Sequence, residues 1–393
     1  MANKKWPIVV SLGFTQTLAW ASTYYLPAIL AVPISQSLEI NTSEVNLAFS
    51  AALVVSAIFG PLSGKAIDLW GGQKVLPISN ILFAIGLTLL GYSSNTQSLW
   101  IAWLVIGLGM SGGLYESAFS TIVQFFGKDS RASITGVTLF AGFASTIGWP
   151  ISGWLFQHWG WRETCWTWAC IHIVVGLPLN STIKIFVDQT LKDKKKKESS
   201  YKKEINEQVN QPTQFRKAIV LSFVFASTWF TSTAMAAHWP RLLEINGLSS
   251  VNAIAIGALI GPSQVLARIF EFGILRKIHP LLSARLASLA HPIGAVMLIL
   301  FGPGAAPFFA ILHGAGNGVL TIAKGTLPLV MFGEKGYGYR QGWIMFPARI
   351  SSAIAPWLFG ICISEYGKSA ITVTMTLGLI SSLSLFLIDP KKR

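Results

Sequence analysis

Residues 64–74 read Gly64-Lys65-Ala66-Ile67-Asp68-Leu69-Trp70-Gly71-Gly72-Gln73-Lys74, and they separate two apolar runs, about 44-67 and 75-94. An Asp that follows one Gly by four residues and precedes another by three marks a helix end and a tight turn at the edge of an apolar layer. Gly64 lets a facing helix approach and Gly71 permits the backbone reversal. Asp68 can accept bonds from Lys74 or from the N-terminus of a facing helix.

Outward from that turn the chain is apolar almost throughout. Of 393 residues, 52% are hydrophobic and only 12% charged, with 15 Trp and 24 Phe; a soluble domain carries about 25% charged residues. Apolar runs fall at about 7-31, 44-67, 75-94, 98-125, 132-157, 163-187, 217-240, 250-275, 281-301, 305-331, 341-362 and 369-388. Each is long enough to cross a hydrocarbon core of about 30 Å at about 1.5 Å per residue. The reading is an all-α membrane protein of twelve transmembrane helices. The net charge of +14 does not point to nucleic acid, because its placement is one-sided. With the N-terminus cytoplasmic, 24 of the 30 Lys and Arg lie at cytoplasmic ends or loops, three lie inside runs, and only Arg162, Arg241 and Lys368 lie outside. That is the positive-inside pattern, and it sets both termini in the cytoplasm. The Lys-rich segment 188-216 reads as a solvated linker between a six-helix bundle over 1-187 and a second over 217-393. The apolar stretch after Lys4 and Lys5 is too long for a signal peptide and reads as an uncleaved first helix. Cys165, Cys170 and Cys362 have neither disulfide nor metal-ligand spacing and read as small buried hydrophobes.

The two halves echo each other at an offset of about 201 to 207 residues. Gly60-Pro61 answers Gly261-Pro262, Gly107 and Gly109 answer Gly314 and Gly316, Gly127 answers Gly333, and Gly136 with Pro150 answers Gly342 with Pro356. Six spans repeated in parallel is the plan of the major facilitator superfamily, and the 64–74 stretch resembles that superfamily's loop signature. The resemblance implies two six-helix pseudo-repeats, a substrate site at mid-membrane between them and alternating access. It also implies a conformational latch of Gly64, Asp68, Gly71 and Lys74, in which Asp68 pairs with the start of span 11 near Tyr339. The basic residue usual after the Asp is Leu69 here, and the Arg often found four residues before the first Gly of span 4 is Trp103. Span 5 has Gly148-Trp149-Pro150 in place of the adjacent Gly-Pro typical of drug/proton antiporters. With Thr23-Tyr24-Tyr25 in span 1 and Arg268 in span 8, the chain is similar to the monocarboxylate transporter and oxalate/formate antiporter branch.

Chemistry enters through charge inside the runs. Arg268, Lys324 and Arg349 each stand about 12 to 14 Å from the nearest cytoplasmic helix end, counted at about 1.5 Å per residue. An ionisable group at that depth costs at least about 2.5 to 3.5 kcal/mol, so it is kept where it faces a protein-lined or watered cavity. The reading is an anion pathway: Arg268 grips a carboxylate through its planar fork, and Lys324 and Arg349 add a second anchor or an attracting field. The bland alternative is internal pairing, Arg268 with Glu271 three residues on, and Arg349 as a brace between helix ends. Glu116 in span 4 is the candidate proton-coupling group, its repeat-related position lying within one residue of Lys324, so that the two are expected to face one cavity from opposite halves; a static salt bridge is the alternative. Gln16, Tyr24, Tyr25, Tyr115 and Asn317 are candidate substrate-lining residues, against lipid-facing or packing roles. His172, His238, His291 and His313 share no metal-ligand spacing and read as satisfied or helix-end side chains.

Gly107-Leu-Gly109-Met-Ser-Gly112 and Gly109-Met-Ser111-Gly-Gly113 match dinucleotide and nucleophile-elbow patterns. Both require a preceding strand, and both sit inside one apolar helix, so no enzyme, cofactor or metal is expected. The expected function is a proton-coupled secondary transporter of a small, carboxylate-type organic anion in a prokaryotic inner membrane. Its partners would be that anion, protons and membrane lipid, with no nucleic acid, and it would work as a monomer. The alternatives are an exporter of an amphipathic compound, such as a drug or a carboxylate siderophore, and a non-transporting membrane receptor.

Overall fold

The computed structural model describes residues 2–183, 212–274 and 278–388. The expected linker falls mostly outside the described residues; its last residues, from Pro212, already belong to a helix. Among the described residues there are helices and turns and no strand. In chain order the helices are α1 (Ala2–Ala19), α2 (Pro27–Ser37), α3 (Thr42–Trp70), α4 (Gly72–Gly91), α5 (Thr96–Gly113), α6 (Tyr115–Phe126), α7 (Arg131–Ala141), α8 (Ala144–Trp159), α9 (Trp161–Ile171), α10 (Pro212–Ile245), α11 (Ser250–Gly257), α12 (Ile260–Gly273), α13 (Pro280–Phe301), α14 (Ala306–Phe332), α15 (Tyr337–Tyr366) and α16 (Ile371–Phe386).

Among the described residues, eight helical stretches are long and apolar enough to cross a membrane. Three of these, Thr96–Trp159, Pro280–Phe332 and Tyr337–Phe386, are double crossings folded back at single 3₁₀ turns that open on Gly127, Gly302 and Gly367. With the helical stretch that starts at Trp161, they account for twelve spans. Polar backbone cannot be left bare in lipid, so each reversal is kept short and internally bonded.

The chain forms two units. The first takes 1–210 together with 333–346, and the second takes 211–332 and 347–393. Several of their internal pairings correspond. In the first, α5 packs on both α3 and α4, and α4 packs on α9; in the second, α14 packs on both α12 and α13, and α13 packs on α16. The repeated glycines explain this. A Cβ on Gly107 would lie 2.5 Å from the carbonyl oxygen of Ala52 in α3, and one on Gly314 would lie 2.5 Å from that of Ile260 at the start of α12. Gly109 similarly meets Phe83 in α4, and Gly316 meets Ala287 in α13. Small residues at these positions let backbones touch where no hydrophobic driving force separates helix from lipid.

The first unit departs from the expected spans at several points, and two of them shape the candidate site. Span 1 is interrupted by a π turn over Trp20–Tyr24 before α2 resumes at Pro27, and span 4 breaks at Leu114, whose φ of −93° and ψ of −171° are extended. Gly112 and Gly113, with no side chains to hold the helix, precede that break. Of the cysteines, Cys165 is buried, but Cys170 is exposed, on a face that an apolar thiol can present to lipid.

Candidate functional site

The first unit gathers an aromatic cluster at its two helix breaks. The π turn brings Trp20 to 4.9 Å from both Tyr24 and Tyr115 and 6.1 Å from Tyr25, ring centre to ring centre. Tyr24 meets Phe49 at 5.6 Å, Phe49 meets Trp103 at 5.3 Å, and Tyr25 meets Trp149 at 5.9 Å. The three candidate tyrosines are therefore one group, and Trp20, which sequence reasoning passed over, is its centre. Inserted π turns of this kind accumulate at functional positions.

Gln16 lies one turn before the cluster and is buried. Its Nε2 donates to the carbonyl of Gly113 at 2.7 Å, the last residue of α5, and so satisfies a group that the break at Leu114 would orphan. Its Oε1 is buried with no hydrogen-bond partner. Glu116 is half-buried in the first turn of α6, where the helix dipole favours a negative charge. A broken membrane helix presenting a half-helix N-terminus is the arrangement in which secondary transporters hold ions and substrates.

The cationic candidates all belong to the second unit. Arg268 is 4% exposed in α12, Lys324 7% in α14 and Arg349 6% in α15. Arg268 donates from Nη2 to Gln264 Oε1 at 3.4 Å, one turn earlier on α12, and Glu271, 2% exposed, follows it by three residues. Lys324 Nζ sits 4.6 Å above the ring of Trp229 in a cation–π contact. Asn317 is half-buried, two turns before Lys324, and lines a cavity of about 30 Å³ with His291 and His313.

Of the candidate latch residues, Asp68 and Gly64 meet the start of α15 in the first unit. Asp68 Oδ1 accepts from the Gly338 N–H at 2.9 Å and Oδ2 from the Tyr339 N–H at 2.8 Å, two donors that the N-terminus of α15 leaves without an intrahelical partner. Gly64 touches the backbone of Gly338, where any Cβ would collide. Gly71 takes φ 86° and ψ 149° between α3 and α4, a conformation that only glycine adopts without strain. Lys74 is exposed in the first turn of α4 and adds positive charge at the rim. Gln124, which no motif marks, closes the turn from α6 by accepting from the Gly72 N–H at 3.4 Å and donating to the Ile67 carbonyl at 3.3 Å.

The sequence matches the family model described as Major Facilitator Superfamily over residues 12–323. The chain belongs to that superfamily. Major facilitator proteins also supply its structural likenesses. The proton:xylose symporter XylE superposes with a TM-score of 0.74 at 12% identity over 97% of this chain and 95% of that one. The human organic anion transporter MFSD10 (TETRAN) gives 0.69 at 13% over 97% and 99%. At such identities these show the fold alone. Among characterised relatives, the multidrug resistance protein fnx1 of Schizosaccharomyces pombe is 28% identical over 35% of this chain and 24% of its own. Mouse monocarboxylate transporter 2 is 25% identical over 39% and 31%. The match thus spans about a quarter to a third of these relatives. This facilitator is an integral, multi-pass membrane protein.

Proposed function

We propose that this protein carries a small organic anion of the carboxylate type by alternating access, in symport with protons, across a prokaryotic inner membrane with both termini cytoplasmic. The observation that carries the reading is the burial of Arg268, Lys324 and Arg349, three cations on three membrane helices of one unit. Their desolvation is offset when an anion shares their field, and the guanidinium of Arg268 offers a bidentate fork to a carboxylate. Lys324 and Arg349 supply the second anchor. Glu116, placed at a half-helix N-terminus beside Tyr115, is the proton-coupling group: a carboxylate there can be discharged by one proton within each cycle. The name of one similar protein, a monocarboxylate transporter, points the same way. The latch of Asp68 on the start of α15 stabilises one conformation and is released in the other. The protein acts as a monomer.

A second reading, export of an amphipathic compound, is favoured by the aromatic cluster around Trp20, since stacked rings bind apolar and cationic molecules alike. The name of fnx1 belongs with it. A thermal-shift screen of the purified protein separates the two, because a ligand that binds the folded state raises its melting temperature. Shifts with mono-, di- or tricarboxylates that vanish in Arg268→Ala are expected. Shifts confined to neutral or cationic amphiphiles would replace the anion reading with the exporter.

A further inference from the structure

The second unit contains a pair of buried imidazoles that no transport role above employs. His291 on α13 and His313 on α14 are 8% and 5% exposed, and their Nδ1 atoms lie 3.0 Å apart with the rings inclined at 68°. Such a contact is a hydrogen bond only if one Nδ1 carries a proton and the other does not. The rings are fixed from the apolar side: Phe309 lies 5.3 Å from His291, and Trp239 stacks on His313 at 6.1 Å. Their other side is a cavity of about 30 Å³, lined by Thr231, Ser288, Asn317 and Ser381 among others. That is room for one or two water molecules.

Three buried polar atoms among the residues of this cavity have no hydrogen-bond partner: His291 Nε2, Thr231 Oγ1 and Ser381 Oγ. A buried polar group left so is costly, and three around one polar cavity point to a ligand that bonds to them. The charge balance of the surroundings limits what that ligand can be. No Asp, Glu, Lys or Arg lines the cavity. On α13 the nearest is Arg285, six residues from His291 or about 9 Å along the helix, and it is engaged with the carbonyls of Leu385 and Ile388. On α14 it is Lys324, eleven residues from His313 or about 16 Å. On α10, His238 is bonded to the carbonyl of Pro356; α16 has no titratable residue, and α12, packed on α14, contributes Arg268 and Glu271.

We infer that the His291–His313 pair and its hydroxyl-lined cavity form a site for a single proton, delivered through cavity water to His291 Nε2. In the neutral pair, His291 donates from Nδ1 to the bare Nδ1 of His313, so His291 Nε2 is the open acceptor. One added proton converts His291 to imidazolium, which still donates through Nδ1 and now also donates through Nε2 to water, Thr231 or Ser381. A second proton would set two N–H groups against each other and break the bond, so the pair holds one and no more. The site depends on neither Arg268 nor Glu116, and it stands whether the cargo is an anion or an amphiphile.

The test is magic-angle-spinning NMR of the full chain, labelled with ¹⁵N-histidine and reconstituted in lipid. It contains six histidines. A nitrogen–nitrogen coupling across the Nδ1···Nδ1 bond is expected, absent in His291→Gln and in His313→Gln. On acidification from pH 9 to pH 4, one ring nitrogen of the pair is expected to move to its protonated position while the coupling persists. Independent titration of both rings, or titration of exposed His158 with none in the pair, would overturn the inference. The wild-type titration decides this even if neither variant folds.

Discussion

His172 in the first unit and His291 in the second are both buried histidines on membrane helices, and they are treated oppositely. His172 bonds through Nε2 to Ser22 at 2.7 Å and through Nδ1 to Asn80 at 2.9 Å, so both nitrogens are used within its own unit. His291 uses Nδ1 on His313 and leaves Nε2 without a partner beside a cavity. The units nevertheless share their helix pairings and their glycine contacts. A repeat therefore preserves surfaces on which helices touch and lets the polar interior diverge: the first unit gathers aromatics around Trp20, while the second buries Arg268, Lys324 and Arg349 and sets His291 beside a hydroxyl-lined cavity.

The largest effect that would break this division is at Arg268. Arg268→Ala is expected to weaken binding of a carboxylate ligand about 30- to 100-fold, the equivalent of about 2 to 3 kcal/mol for a charge-assisted hydrogen bond. Calorimetric titration measures it. Arg268→Lys should recover only part, because an ammonium cannot make the bidentate contact. Full affinity in the Lys variant would remove the fork from the argument and leave only a field.

Next come the shared glycines. Gly107→Val and Gly314→Val each force a side chain against a backbone carbonyl of the adjacent helix, and each is expected to destabilise by about 2 kcal/mol. Melting curves in detergent should show similar drops for the two. Gly153→Ala in α8, where nothing lies within 4 Å of the added Cβ, should be neutral or stabilising by up to about 1 kcal/mol. Unequal drops at Gly107 and Gly314 would mean that the units share topology without sharing their contacts.

The surroundings of His172 and of His291 differ in a smaller way. Asn80→Leu strips one partner from buried His172 and is expected to cost about 1 to 3 kcal/mol. Thr231→Val removes a hydroxyl that has no protein partner and should cost less, since no buried group loses a bond to it. The reverse order in melting temperature would show that the second unit's cavity is the more tightly bonded of the two.

Much of this was legible in the chain because it depends on spacing. The glycine pairs stand at offsets within a few residues of one another, and the 64–74 stretch names Asp68 four residues after Gly64. Their meaning is local to one helix face. The Trp20 cluster was not legible, because it rests on a π turn and on the break at Leu114, neither of which alters the apolar pattern that marks a span. The doubled glycine at Gly112 and Gly113 was the one available sign of that break. The pairing of His291 with His313 was hidden for a different reason. Twenty-two residues separate them, on consecutive antiparallel helices joined at Gly302, and which faces of that hairpin meet is decided by tertiary packing.

The smallest expected effect concerns Asp68, whose two carboxylate oxygens both accept backbone N–H bonds. Asp68→Asn keeps an oxygen for one of the two N–H groups of Gly338 and Tyr339 but turns an amino group toward the other. It also removes a negative charge from a helix N-terminus, a favourable interaction of about 0.3 to 1 kcal/mol where solvent reaches it. Together these loosen the contact by about 1 kcal/mol, which corresponds to about fivefold faster amide exchange at residues 338 and 339. Hydrogen–deuterium exchange resolved to peptides over 333–346 reads it directly. Because Gly64 also abuts Gly338, the segment keeps its steric seat when the charge is lost, so a modest rise is expected and not full release. Unchanged exchange would mean that backbone packing alone holds 333–346 to the first unit, and that Asp68 is a cap without being a latch.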